Sequence, residues 1–252
     1  MAVMRYVLRD GQWTRMSPLC LGKVGDRGRS GSNNRLFLEA VLWITRTGSP
    51  WRDLPPEFGK WSTVLKRFRD WVKADVFQKL FDAVSDQPHM EYVMLDATMV
   101  RVHRHGKGAK EGLRAKAIGR SRGGLTTKIL ALTDTLGNLI RFVLRPGQRH
   151  DLQGVEQLLE GIDLLALLAD KAFDADWLEQ RLLAQGFQVV IAHKSNRRAP
   201  LQIDIEVYKW RHLIENFFCK LKEFKRIAMR CDKTDSSFAA VITLVSAVIN
   251  SR

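Results

Sequence analysis

The sequence predicts an α/β protein in two parts. A small all-α, helix-turn-helix-like domain spans residues 1–87, and a mixed α/β domain spans 88–252. Three observations predict this. As far as Ser85, apolar residues recur at the three-to-four spacing of amphipathic helices. From Glu91 the period changes to that of extended chain, in three successive runs that then alternate with helical stretches. Asp86-Gln87-Pro88 separates the two regimes and marks the boundary.

In the first part, residues 1–31 read as a short helix or turn and a basic, glycine-rich loop. Asn33 to Thr47 carries apolar residues at 36, 37, 40, 41 and 44 behind a polar cap, and Gly48-Ser49-Pro50 ends it. After the turn-rich WRDLPPEFG, Ser62 or Thr63 is expected to cap a helix reaching about Ala74. Its apolar face is Val64, Leu65, Phe68, Trp71 and Val72; its outer face is Lys66, Arg67, Arg69 and Lys73. A third helix covers Val76 to Ser85. Three short helices with a basic face suit phosphate contacts of a helix-turn-helix kind, and equally a bundle kept soluble by its bases.

In the second part, EYVMLDATMVRV is a strand with Val93 and Leu95 on one side and an acid, Asp96, within it. The stretch 101–124 has eight Lys or Arg and one acid, and reads as a long mobile loop ordered on a phosphate backbone or simply solvated. Its His103-x-His105 pair lacks a third metal ligand nearby. Leu125 to Leu132 and Leu139 to Leu144 are strands joined by a TLGN turn at Asp134. Asp151 can cap a helix over Leu152 to Gly161. LLALLA, ending in Asp170, is a central buried strand. An Asp174-capped helix over Ala175 to Gln185 and a strand from Phe187 to His193 follow. Three antiparallel strands, then parallel strands returned by crossover helices, is the order of a ribonuclease H-like fold.

Tyr208 to Arg230 reads as one helix. Trp210, Leu213, Ile214, Phe217, Leu221 and Phe224 form its apolar stripe, and Arg211, Glu215 and Lys222 fall within about 40° on the other side. A last apolar helix covers Ser236 to Ile249.

The net charge of +14 and a pI near 10.0 imply a polyanionic partner, with nucleic acid ahead of an anionic membrane. No run approaches the roughly 20 apolar residues of a membrane span. The N-terminus lacks a signal-peptide h-region. Three cysteines without CxxC pairing speak against a disulfide framework or cysteine zinc site and fit a reducing cytoplasm.

Asp96 in its strand, Asp170 at a strand end and Glu215 on the late helix are expected to converge. Buried carboxylates need a cation, and oxygen-only ligands favour Mg²⁺, with Mn²⁺ as substitute. Two such ions can serve in-line phosphoryl transfer.

Tyr208, Arg211, Glu215 and Lys222 spell Y-x2-R-x3-E-x6-K, which resembles the signature around the third acid of insertion-sequence transposases. LDATMV around Asp96 and LLADKAFD around Asp170 resemble the blocks of the first two acids, with Phe173 where many relatives have tyrosine. SPWRDLPPEFGKWSTVLKRFRDW resembles the N-terminal region of the same proteins. The chain thus resembles DDE transposases of the insertion sequence 5 family over nearly its full length. The resemblance implies two Mg²⁺ ions on Asp96, Asp170 and Glu215, cleavage at element ends by water, and strand transfer by the 3′-hydroxyl. It implies DNA contacts by Arg211 and Lys222, and by Tyr208 or a packing role for it; from the charge pattern, Lys66, Arg67, Arg69, Lys73, Arg120 and Arg122 are added. The partners implied are double-stranded DNA, as terminal repeats and target, and a second copy in an active homodimer in the bacterial cytoplasm. A transposase-derived DNA-binding protein without catalysis, and a nuclease that cuts without joining, share these features.

Overall fold

The computed structural model describes residues 6–23, 25–26, 31, 33–85, 88–107, 117–197 and 201–251. Four helices come first: α1 (Asp10–Met16), α2 (Asn34–Thr47), α3 (Trp61–Lys73) and α4 (Val76–Val84). Strands β1 (Tyr92–Val102), β2 (Gly119–Ser121), β3 (Gly124–Thr133) and β4 (Leu139–Pro146) follow. Then come α5 (Val155–Leu159), β5 (Ala166–Ala169), α6 (Asp176–Ala184) and β6 (Gln188–Ile191). The chain finishes with α7 (Ile205–Lys209), α8 (His212–Lys222), α9 (Lys225–Ala228) and α10 (Asp235–Asn250).

The chain forms two compact units. The first is Met1–Asp86 with His103–Ala109 and Leu221–Arg252; the second is Gln87–Val102 with Lys110–Lys220. The sequence divides once, at 87/88, whereas the compact units also place the last helix with the first segment.

In the first unit, α2 begins at Asn33, whose side chain accepts the Leu36 N–H at 2.9 Å, and ends at Gly48, with φ 72°. That left-handed turn suits a residue without Cβ. Phe37, Phe68, Trp71 and Phe77 make an aromatic centre, with ring centroids 4.7 to 6.0 Å apart. α10 packs on α4, and from Ala240 to Ile249 every residue of it is buried. A helix apolar on all sides belongs inside a core, and this one fills the centre of the helical unit. Neither Ser62 nor Thr63 caps α3: the helix starts earlier, at Trp61, with Lys60 at the cap and no side-chain bond there.

In the second unit the sheet order is β2-β3-β1-β5-β6, with β4 also on β3. β1, β3 and β4 pair antiparallel; β1, β5 and β6 pair parallel. This is the ribonuclease H-like order. β2, a short hairpin partner of β3, lies within the stretch read as loop. Residues 108–116 of that stretch lie outside the described residues. One face of the sheet, with Val93, Leu95, Leu130, Leu132, Leu167 and Ala169, packs with α5 and α6 residues in a continuous apolar core.

Two expected caps are something else. Asp151 pairs with Lys128, and α5 starts later, after Gly154. Asp174 is buried, and α6 is preceded by Ala175. The single helix expected from Tyr208 to Arg230 is three: α7, α8 and α9. At the first break Arg211 N–H reaches Tyr208 and Leu213 N–H reaches Trp210, tight i to i−3 turns, while the His212 ring takes the Lys209 carbonyl at 2.8 Å. At the second, Phe224 is extended. Trp210 consequently leaves the stripe: it is exposed, edge-on to Tyr92 at 5.1 Å, while Ile214, Phe217 and Leu221 are buried.

Candidate active site

Side chains alternate across a strand, so the core residues fix where the acids point. Val93 and Leu95 face the α5–α6 side, which puts Asp96 on the opposite face. In β5, Leu167 and Ala169 share that core, so Asp170, the next residue, falls on the same face as Asp96. The parallel register pairs Leu95 with Ala169, which makes Asp96 and Asp170 neighbours across adjacent strand ends. The α7–α8 junction comes to the same place. Gly137 lets the β3–β4 turn approach it closely, since a Cβ there would meet the Leu213 carbonyl oxygen at 3.1 Å.

At that junction Arg211 joins the acids. Its guanidinium donates to Asp96 Oδ2 at 3.2 Å and to Glu215 Oε1 at 2.7 Å. It lies 5.9 Å from the Tyr208 ring centroid. Although burial pushes its pKa down, Asp96, Tyr208, Glu215 and Asp170 together raise it above the ordinary arginine value. The other Asp96 oxygen accepts the Ala97 N–H at 2.7 Å, and Asp170 Oδ1 accepts the Ala172 N–H at 2.8 Å. Burial raises the Asp96 pKa and the Asp170 charge adds to it, against the Ala97 amide and Arg211. Arg211 thus bonds two acids far apart in sequence, Asp96 and Glu215, and feels the charge of the third, Asp170. Their donor set is oxygen only, which fits a hard divalent ion, and Arg211 offsets part of their charge.

A second acidic cluster lies in the same unit. Asp174, Glu179 and His193 are the one group of three, among the described residues, whose ligand atoms lie within 4.8 Å of one another. Arg197 occupies it, bonding Asp174 and, at 2.7 Å, Glu179. Lys194 N–H adds 2.8 Å to Asp174, and Leu201 N–H donates to His193 Nε2 at 2.9 Å. Burial pushes the Asp174 pKa up, but the Lys194 amide, the His193 ring and Arg197 hold it below the usual range. Its charges are already balanced, so it reads as a clamp between β5, α6 and the segment after β6. Sequence reading missed it because Arg197 sits in an irregular link with no periodicity.

The family described as "Transposase DDE domain" matches residues 88–250, and "Putative transposase of IS4/5 family" matches residues 8–81. The chain belongs to the DDE transposase family. Its chemistry is that of an insertion-sequence transposase, metal-dependent DNA cleavage and strand transfer. Among its relatives, the "Putative transposase for insertion sequence element IS6501" of Brucella ovis is 38% identical over 128 residues, 50% of this chain and 98% of that protein. "Uncharacterized protein y4sN" of Sinorhizobium fredii is 39% identical over 105 residues, 41% of this chain and 82% of that protein. The fold is similar to a piggyBac transposase synaptic complex with hairpin DNA, with TM-score 0.50 and 10% identity, covering 95% of this chain and 69% of that one.

The basic residues of this transposase are not alike. Lys66, Arg69 and Lys73 are exposed on α3, Lys66 in a pair with Asp70 at 2.9 Å. Arg67 points inward instead. It stacks on Phe37 at 4.5 Å and Trp71 at 5.1 Å, and bonds the Leu21 carbonyl and Asn34, so it is a packing residue. Arg120, Arg122 and Lys222 are exposed. No helix among the described residues is long and apolar enough to cross a membrane.

Proposed function

We propose that Asp96, Asp170 and Glu215 are the metal-holding acids of this transposase and that Mg²⁺, as a pair of ions with Mn²⁺ as substitute, is the cation they take. The observation that supports this is that Arg211 bonds both Asp96 and Glu215, with Asp170 beside Asp96 in the parallel register. Held by Asp96, Asp170 and Glu215, such a cation would supply charge neutralisation for an in-line phosphoryl transfer. The chain's own groups do the rest. The Ala97 and Ala172 amides hold one oxygen each of Asp96 and Asp170, fixing which oxygens remain free. Glu215, with 54% of its side chain exposed, is the acid free to move. Arg211 is the group that leaves the acids and turns to a DNA phosphate, flanked by Tyr208; Lys222 adds a second phosphate contact.

In the first step water adds to the phosphorus at an element end and the bond to the 3′-oxygen breaks, leaving a 3′-hydroxyl and a 5′-phosphate. In the second that hydroxyl attacks a target phosphodiester, its proton passing to solvent and a target 3′-oxygen leaving. Joining two ends calls for a homodimer on double-stranded DNA. The piggyBac transposase of similar fold is seen in a synaptic complex with hairpin DNA, which supports DNA as partner by analogy of fold.

The test is incubation with Mg²⁺ and DNA carrying the element's ends. Cut and joined product is expected. Binding without cutting would leave a DNA-binding protein, and cutting without joining a nuclease. An Asp170→Asn protein that cuts at the wild-type rate would remove the metal assignment.

A further inference from the structure

The first unit holds a cleft of about 870 Å³ that the acids do not use. Its walls come from the end of α2, the link to α3, α3 itself, the 103–105 turn and the α9–α10 segment, all within that unit. Part of its surface is aromatic. Trp51, half-buried with Arg226 5.6 Å from its ring centroid, stands against the buried Phe68 at 5.4 Å, and the half-buried His103 and exposed His105 rings meet edge-on at 4.7 Å. The turn is pinned, since His103 N–H donates to the Arg230 carbonyl at 2.9 Å. His103 Nδ1 accepts the His105 N–H at 3.3 Å, which removes one ligand nitrogen and leaves the pair better suited to stacking than to chelation.

The rest of the lining is cationic. The side chains of Arg69, Arg104, Lys225 and Lys233 have no hydrogen-bond or ion-pair partner among the described residues. The acid in the wall, Asp232, is already held by Arg226 through bonds of 3.0 and 2.9 Å. So the cleft combines flat ring surface with four uncompensated positive charges.

We infer that this cleft binds an unpaired segment of DNA, one or two nucleotides with their phosphates. Bases stack on exposed rings irrespective of sequence while neighbouring cations take the phosphates, a combination that suits single strands. Bases stacked inside a duplex cannot reach those rings. An apolar peptide would desolvate four cations with nothing to pair them. The inference rests on the transposase reading, because strand cleavage is what supplies unpaired nucleotides beside a DNA-bound protein.

The test measures fluorescence anisotropy of labelled dT10 and of a labelled 20-base-pair duplex. Wild type, Arg104→Ala/Lys233→Ala and His105→Ala are compared over a salt series. The three residues are exposed, and circular dichroism checks that the variants fold. The double variant is expected to bind dT10 about tenfold more weakly, with the log–log salt slope reduced by about 1.4, for two contacts at roughly 0.7 each. His105→Ala is expected to weaken dT10 binding about fivefold with the slope unchanged, as loss of one stacking surface does. Duplex binding should change by less than the dT10 binding in both. Equal losses for duplex and dT10, or no loss for either, overturns the inference. Asp170→Asn separates the two readings: it is expected to abolish cleavage and leave dT10 binding intact, so a failure of the metal assignment shows in cutting and a failure of the cleft shows in anisotropy.

Discussion

Two acidic clusters in the second unit are built from the same parts, each several carboxylates around one arginine, and they differ in what the arginine does. Arg197 meets Asp174, Asp176 and Glu179, and the Asp174 side chain is 3% exposed. Local amides and a histidine complete it, and Asp174 titrates below its ordinary range. Charge there is an asset to the fold. Arg211 meets Asp96 and Glu215, with Glu215 largely in solvent and Asp170 adding charge without a bond to the arginine among the described contacts. Asp96 titrates above its ordinary range. Charge there is a burden, which is consistent with the metal-holding role proposed for these acids. Proximity of ligand atoms alone would have chosen the first cluster; the sealed Asp174 against the solvent-facing Glu215 separates them.

The comparison breaks first on rate. Asp96→Asn and Asp170→Asn are each expected to lower cleavage by roughly 10³-fold, as loss of several kcal/mol of metal-based stabilisation implies. Asp174→Asn should spare the chemical step in whatever fraction of the protein is folded. Single-turnover cleavage of end-containing DNA checks this, and comparable losses in all three variants would dissolve the distinction between the clusters.

Stability should rank the other way. Asp174→Ala takes from Arg197 one of three carboxylate partners, the one in a nearly sealed position, and a loss of about 3 kcal/mol is expected from urea unfolding. The pH dependence carries opposite signs. With its folded pKa depressed, Asp174 contributes stability above the unfolded carboxylate value near 3.9, and that contribution disappears as pH falls through the folded value. With its folded pKa raised, Asp96 contributes fully only below about 3.9, and the contribution is lost as pH rises through the folded value. Between pH 3 and 6, Asp174→Asn should therefore flatten the acid limb of metal-free stability, and Asp96→Asn should flatten the decline on the rising side.

How much of this was legible in the sequence follows from the range of the forces involved. β1, β3, β4 and the order of crossovers were readable, because alternation and punctuation are local. The three acids proposed as metal ligands stand out in the sequence because each sits where an acid is out of place: within a strand, at the end of an apolar run, on a helix among bases. What was not readable depends on partners remote in sequence. Asp151 and Asp174 have the composition of caps, and only the fold brings Lys128 and Arg197 to them. Arg67 looks like any outward base on a wheel, until Phe37 supplies a ring for it to stack on. The breaks in 208–230 are backbone events that an angular count passes over. α10 showed its burial in composition but not which unit it would complete.

The smallest expected effect sharpens the contrast most. Arg211 holds the place of a cation, so its removal should cost the metal-free protein little through Glu215, whose exposed pair is worth at most about 0.5 kcal/mol, and more through Asp96. Arg211→Met should nevertheless bind Mg²⁺ more tightly, by roughly threefold to tenfold, because the ion no longer competes with a guanidinium for Asp96 and Glu215. The readout is the rise in melting temperature per decade of Mg²⁺, which begins at lower concentration when affinity is greater. Cleavage should fall in the same variant, since the phosphate contact is lost. Tighter metal with slower cutting is the signature of a residue that alternates between acids and DNA. An Arg211→Met protein that binds Mg²⁺ more weakly than wild type would mean that the arginine shapes the acids for the metal and does not stand in for it.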